Sequence, residues 1–181
     1  MFRNERNMKR HPVKWLPGAA LLLLASASLA QEETSSAYRM AVIKDDAYGR
    51  MLLSGDYETG IAKISSYNKK RAKTFEAKNN LCVAYTLTRQ FDEAAPACDE
   101  ALTISERYSR HGYSPVSSHG TRDLALAYSN RGVLRAVTGD FVGARQDFEF
   151  AATVDDDIDV ATANLKWLDA RQAQATAAST L

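Results

Sequence analysis

The chain has 181 residues, 45% of them hydrophobic and 25% charged. That is enough for one domain with a core, and the composition is neither that of a disordered chain nor that of a fibrous one. The formal charge of +1 is unevenly placed: residues 1–30 hold five basic residues and one acidic one, which leaves 18 basic against 21 acidic in the remainder. A slightly acidic domain has no electrostatic case for nucleic acid or an anionic membrane.

Residues 1–30 carry the marks of a secretory leader. Arg3, Arg6, Lys9, Arg10 and Lys14 open it, Leu16 to Ala25 form an apolar run, and Ser28-Leu29-Ala30 offers small residues for cleavage before Gln31. The run is short for a bilayer span of about 20 residues, so cleavage is expected in place of anchoring, and the translation start is Met1 or Met8. The absence of a following Cys or a preceding Arg pair points to general secretion without lipid attachment. The mature protein is expected in the periplasm or outside the cell, with a polar, flexible start over residues 31–37.

Residues 38–68 read as a first, degenerate helix pair. Val42, Tyr48, Met51 and Leu52 fall at helical spacing, and Ser54-Gly55-Asp56-Tyr57 marks a turn before a second helix carrying Gly60. The run Lys69-Lys70-Arg71-Ala72-Lys73 then reads as a solvated connection. A second pair spans residues 75–107, with Leu81 and Tyr85 on its first helix and Phe91-Asp92-Glu93-Ala94 opening its second. Pro96 lies past the first turn of that helix, where it removes a backbone bond. Residues 108–120 have the Gly, Pro and Ser content of an inserted loop.

A third pair covers residues 122–154. Gly132 precedes Ala144 by 12 residues, Phe148 follows four later and Ala151 three after that, with Gly139-Asp140-Phe141 as the break. Helices in a hairpin approach closely only where one face lacks bulk, so Gly132, Ala144 and Ala151 are gaps and Phe148 fills the space beside them. Residues 158–175 read as one more helix with Asn164-Leu165 in the register of Asn80-Leu81, leaving a short tail at 177–181.

Gly60 and Ala94 are 34 residues apart, and Ala94 and Ala144 are 50 apart, one such step plus 16 inserted residues. Period, turn and small-residue pattern together resemble the tetratricopeptide repeat, whose period is about 34 residues. The resemblance covers residues 38–176 and implies an all-α solenoid of antiparallel helix hairpins, about three repeats with a capping helix over residues 158–175. Two departures stand out: Arg131 takes the place of the usual Leu and Arg135 that of the usual Tyr. The usual closing Pro is replaced by Asp156.

In that family the first helices line a concave, partner-binding face. Mapped here, the face comprises Asn79, Val83, Thr86 and Leu87 in the second pair and Leu126, Ser129, Val133, Ala136 and Val137 in the third. Such a surface suits an extended or helical peptide. The family's clamp for terminal carboxylates would need Lys and Asn where this chain has Asp45 and Gly49. The face could instead be filled by the chain's own last helix or inserted loop.

Cys82 and Cys98 lie eight residues either side of Gln90, which brings them level across an antiparallel pair. A disulfide is expected in an oxidising compartment, the alternatives being two buried thiols or a redox or metal role. His111 and His119 read as exposed loop residues without a third ligand. Asp155, Asp156, Asp157 and Asp159 fail as a calcium loop, because Val160 stands where Gly is needed and no closing Glu follows. They suit a helix N-terminus. With no catalytic signature, no cofactor and no metal expected, the resemblance implies a non-catalytic envelope adaptor for a protein or peptide partner. A metal-binding protein or enzyme centred on the loop histidines, and a subunit of a homo-oligomer, are the alternatives.

Overall fold

The structure is a computed structural model that describes residues 38–44, 48–67, 70–110 and 119–179. The expected leader, residues 31–37, Asp45, Lys69, His111 with most of the inserted loop, and residues 180–181 lie outside the described residues.

Among the described residues the chain is all-α. Seven helices follow one another: α1 (Gly49–Leu53), α2 (Tyr57–Ser65), α3 (Phe75–Leu87), α4 (Phe91–Arg110), α5 (His119–Val137), α6 (Phe141–Val154) and α7 (Asp159–Ser179), with a 3-10 turn at Arg71–Lys73. Packing is mostly between neighbours in sequence, and α5 also reaches α3 and α7. Local chemistry sets the breaks. Gly55, Arg89 and Gly139 take positive φ at the three tight turns, 83°, 61° and 95°, a region that glycine enters without strain and that a side chain resists. Thr74 caps α3 by accepting from the Ala77 N–H at 3.3 Å, and Asp140 caps α6 by accepting from the Gly143 N–H at 2.9 Å.

The gap-and-filler reading of the third pair holds. A methyl group on Gly132 would stand 2.6 Å from Phe148 Cε1, and Phe148 and Ala144 are fully buried. Cys82 and Cys98 occupy the matching places on α3 and α4 and form a disulfide, with Cα atoms 4.7 Å apart. The bond joins the two helices where glycine and phenylalanine meet in the next pair. It is consistent with an oxidising, extracytoplasmic compartment. No helix among the described residues is long and apolar enough to cross a membrane.

The two arginine departures form an ionic cluster around the buried Asp147, with both arginines half-buried and Asp99 exposed. Asp147 on α6 accepts from Arg131 Nε at 2.9 Å and Nη2 at 2.8 Å, and pairs with Arg135, whose Nη1 lies 3.0 Å away. Asp99 of α4 approaches Arg131 Nη1 at 3.5 Å. Burial works against the Arg131 charge, but hydrogen bonding to Asp147 and the nearby carboxylates outweigh it and raise its pKa. Apolar packing is thus replaced by a paired charge set with its carboxylate at the centre.

Three elements differ from expectation. Helices α4 and α5 run into the loop region, reaching 20 and 19 residues against 13 for α3 and 14 for α6. Part of the insertion is therefore helix, and Arg110 Nε donates to the Glu106 carbonyl in its last turn. Pro96 lies inside α4, as the sequence places it. The first helix of the first pair shrinks to Gly49–Leu53, and residues 38–43 are not helical. Their backbone polar groups are engaged elsewhere, by side chains of three later helices.

Candidate functional site

Helices α3, α5 and α7 each carry a fully buried asparagine at the same register: Asn80, Asn130 and Asn164, with Asn79 beside the first. Residues 38–43 lie across them. Asn164 accepts from the Arg39 N–H at 2.8 Å and donates to the Arg39 carbonyl at 2.8 Å. Asn130 does the same for Ala41, at 2.8 and 2.9 Å, and Asn80 for Ile43, at 2.8 and 3.1 Å. Asn79 adds a bond to the Ala41 carbonyl at 3.0 Å and accepts the second Asn130 proton at 2.9 Å.

A carboxamide carries a donor and an acceptor side by side, so it can satisfy both polar groups of one residue as a neighbouring strand would. A carboxylate or an ammonium group has only one of the two functions. The opposed N–H and C=O also fix which way each amide faces. Only residues 39, 41 and 43 are gripped, the period of two of an extended chain. Each two-residue step moves the segment from α7 to α5 to α3. At about 0.5–1.5 kcal/mol net per bond, the seven segment bonds amount to a stabilisation on the order of several kcal/mol.

Alternate residues on the other side enter apolar sockets. Tyr38 is 4% exposed, with its ring 6.0 Å from that of Phe148 and edge-on to Trp167 at 4.6 Å. Burial raises the Tyr38 pKa, and Arg171 beside it pulls the other way. Met40 sits between a cluster built on Cys82, Cys98 and Leu134 and one built on Val133, Val137 and Phe148. Val42 packs against a cluster built on Leu52, Ile64, Ala77 and Ala84. Ala41 and Ile43 pack on a further cluster that includes Leu126 and Phe75.

The residues read as groove-lining from the sequence fall around this segment. Asn79 touches it directly, and Val133, Ala136, Val137 and Leu126 belong to the clusters on which it packs. Val83, Thr86 and Ser129 are buried, and Leu87 is half-buried. Thr86 spends its hydroxyl on the Cys82 carbonyl at 2.7 Å, while the Ser129 hydroxyl is buried without a partner. Asn80, Asn130 and Asn164 were not among the expected groove residues. Their signal was present: they are 50 and 34 residues apart, the intervals of the small-residue pattern.

His119 is the first residue of α5. Asp155, Asp156 and Asp157 bring carboxylate oxygens within 4.8 Å of one another ahead of α7, where Asp155 accepts from the Asp157 N–H. No protein-family profile, curated protein or solved structure matches the chain. The asparagine face neither titrates nor offers a nucleophile. What it can do is hold a peptide backbone.

Proposed function

We propose that the chain is a tetratricopeptide-repeat protein of the bacterial cell envelope that acts as a non-catalytic adaptor. It holds an extended polypeptide segment across the first helices of its hairpins. One observation carries this reading: three buried asparagines at repeat spacing each take both backbone groups of one residue of an extended segment. Buried carboxamides aimed at a backbone recognise conformation, which is what a binder of peptide segments requires. The recurring Gly and Ala sites and the turns support the repeat assignment, and the disulfide supports the compartment.

The test is capture from envelope extract by the immobilised protein, by Val133→Glu and by the milder Asn79→Ala, each checked for helicity by circular dichroism. A polypeptide recovered by the unaltered protein and lost from a folded variant is expected. Recovery of the same set by all three, or of nothing by any, would count against the adaptor reading.

A further inference from the structure

We infer that the groove selects a partner by a six-residue pattern: aromatic, any residue, unbranched apolar, small, β-branched, β-branched. Residues 38–43 are the chain's resident copy of that pattern, and a partner enters by exchange with it. The inference rests on the adaptor reading above and adds the chemistry of the occupant.

The backbone bonds are indifferent to sequence, so selectivity lies in the side chains. Tyr38 fills an aromatic socket between Phe148 and Trp167, closed by Leu168. The Arg39 side chain is exposed, so its position accepts any residue except proline, whose missing N–H Asn164 would need. Met40 spans two clusters, which an unbranched flexible side chain does well. Ala41 lies where two carboxamides converge on one carbonyl, from Asn79 and Asn130, and that crowding calls for a small residue. Val42 and Ile43 pack against separate apolar clusters with the stiffness that suits an extended backbone. Gly49 belongs to the same device: its missing side chain leaves room for the Ile43 carbonyl.

A tethered segment competes at an effective concentration of about millimolar, so the unaltered protein resists a free peptide of equal fit. Weakening the resident segment without touching the helices should open the groove. The Ala41→Pro change does this by removing the N–H that Asn130 accepts, and Arg39→Pro does the same at Asn164.

The experiment is fluorescence anisotropy with a labelled synthetic peptide of residues 36–44, titrated with the full chain and with both proline variants. Binding is expected to be about tenfold tighter to a proline variant than to the unaltered protein, the worth of about one good hydrogen bond. Adding Asn130→Ala to the variant should weaken it at least tenfold. Peptides carrying Tyr38→Ser, Met40→Asp or Ala41→Leu should each bind about tenfold more weakly, and a peptide carrying Arg39→Gln should bind unchanged. Equal binding of all peptides would overturn the pattern and leave the peptide-holding reading standing. No binding of any peptide to a folded proline variant would overturn both. Loss of fold in both proline variants would overturn exchange, because a segment the fold cannot release is not replaceable.

Discussion

Asn130 on α5 satisfies both backbone groups of Ala41, accepting from its N–H at 2.8 Å and donating to its carbonyl at 2.9 Å across 89 positions of sequence. Its second amide proton goes to Asn79 Oδ1 at 2.9 Å. Two of its three hydrogen bonds hold the peptide units on either side of Ala41, and the third orients Asn79, which bonds the same carbonyl.

Removing it should therefore be expensive. Asn130→Ala leaves the Ala41 N–H and Asn79 Oδ1 unpartnered in a buried place, for an expected loss of about 2–3 kcal/mol. Asn130→Asp should lose more, because it keeps the acceptor but buries a charge and removes both donors. Urea denaturation at unchanged slope measures each loss. A loss below about 0.5 kcal/mol for Asn130→Ala would mean the segment contributes little to the fold.

Gly132 and Phe148 make the second case. A Cβ at residue 132 would also come within 2.8 Å of Phe148 Cδ1, and the ring is fully enclosed. Gly132→Ala is expected to destabilise by about 1–3 kcal/mol despite alanine's better helix propensity. In a double-mutant cycle, Phe148→Leu should recover part of that loss, with a coupling of at least about 0.5 kcal/mol. Additive effects would show that the close approach is relieved elsewhere.

These two relationships were not equally legible. The Gly132 gap lies within a hairpin, and a local spacing of small and large residues announces it. Residues 38–43 have an alternating pattern too short to outweigh helical spacing at Val42, Tyr48 and Met51, and their conformation is fixed by amides 37 to 125 positions away. The asparagines repeat with the hairpins, but an asparagine on a helix announces no partner until the segment crossing it is known. The arginine departures were visible as departures; their meaning needed Asp147, which only packing brings beneath them.

That ionic cluster gives a third prediction. Asp147→Ala leaves Arg131 and Arg135 without their shared carboxylate; both are half-buried and Arg131 keeps Asp99, so the loss should be about 1–3 kcal/mol. Replacing Arg131 by Leu and Asp147 by Ala together supplies the residues found at the matching sites Leu81 and Ala97. That pair should recover most of the loss in thermal unfolding. A double variant as unstable as Asp147→Ala would mean the charges position the helices in a way apolar packing cannot.

The Tyr38 hydroxyl is buried beside Arg171 without a well-aligned hydrogen bond. Burial holds the phenol above its ordinary value of 10.0, with Arg171 acting in the opposite sense. The folded pKa thus exceeds the unfolded one, so this contribution to stability is complete below pH 10 and is lost as the pH rises through the folded value. Tyr38→Phe should equal or exceed the unaltered protein at neutral pH, by up to about 1 kcal/mol, because it removes a buried hydroxyl without a partner. It should also flatten the alkaline fall in the urea midpoint. The Tyr128 pKa is likewise raised, by burial and then by Glu106, so Tyr128→Phe should remove a second, separate part of that fall. An alkaline limb unchanged by Tyr38→Phe would place the ionisation that loosens the fold away from the segment.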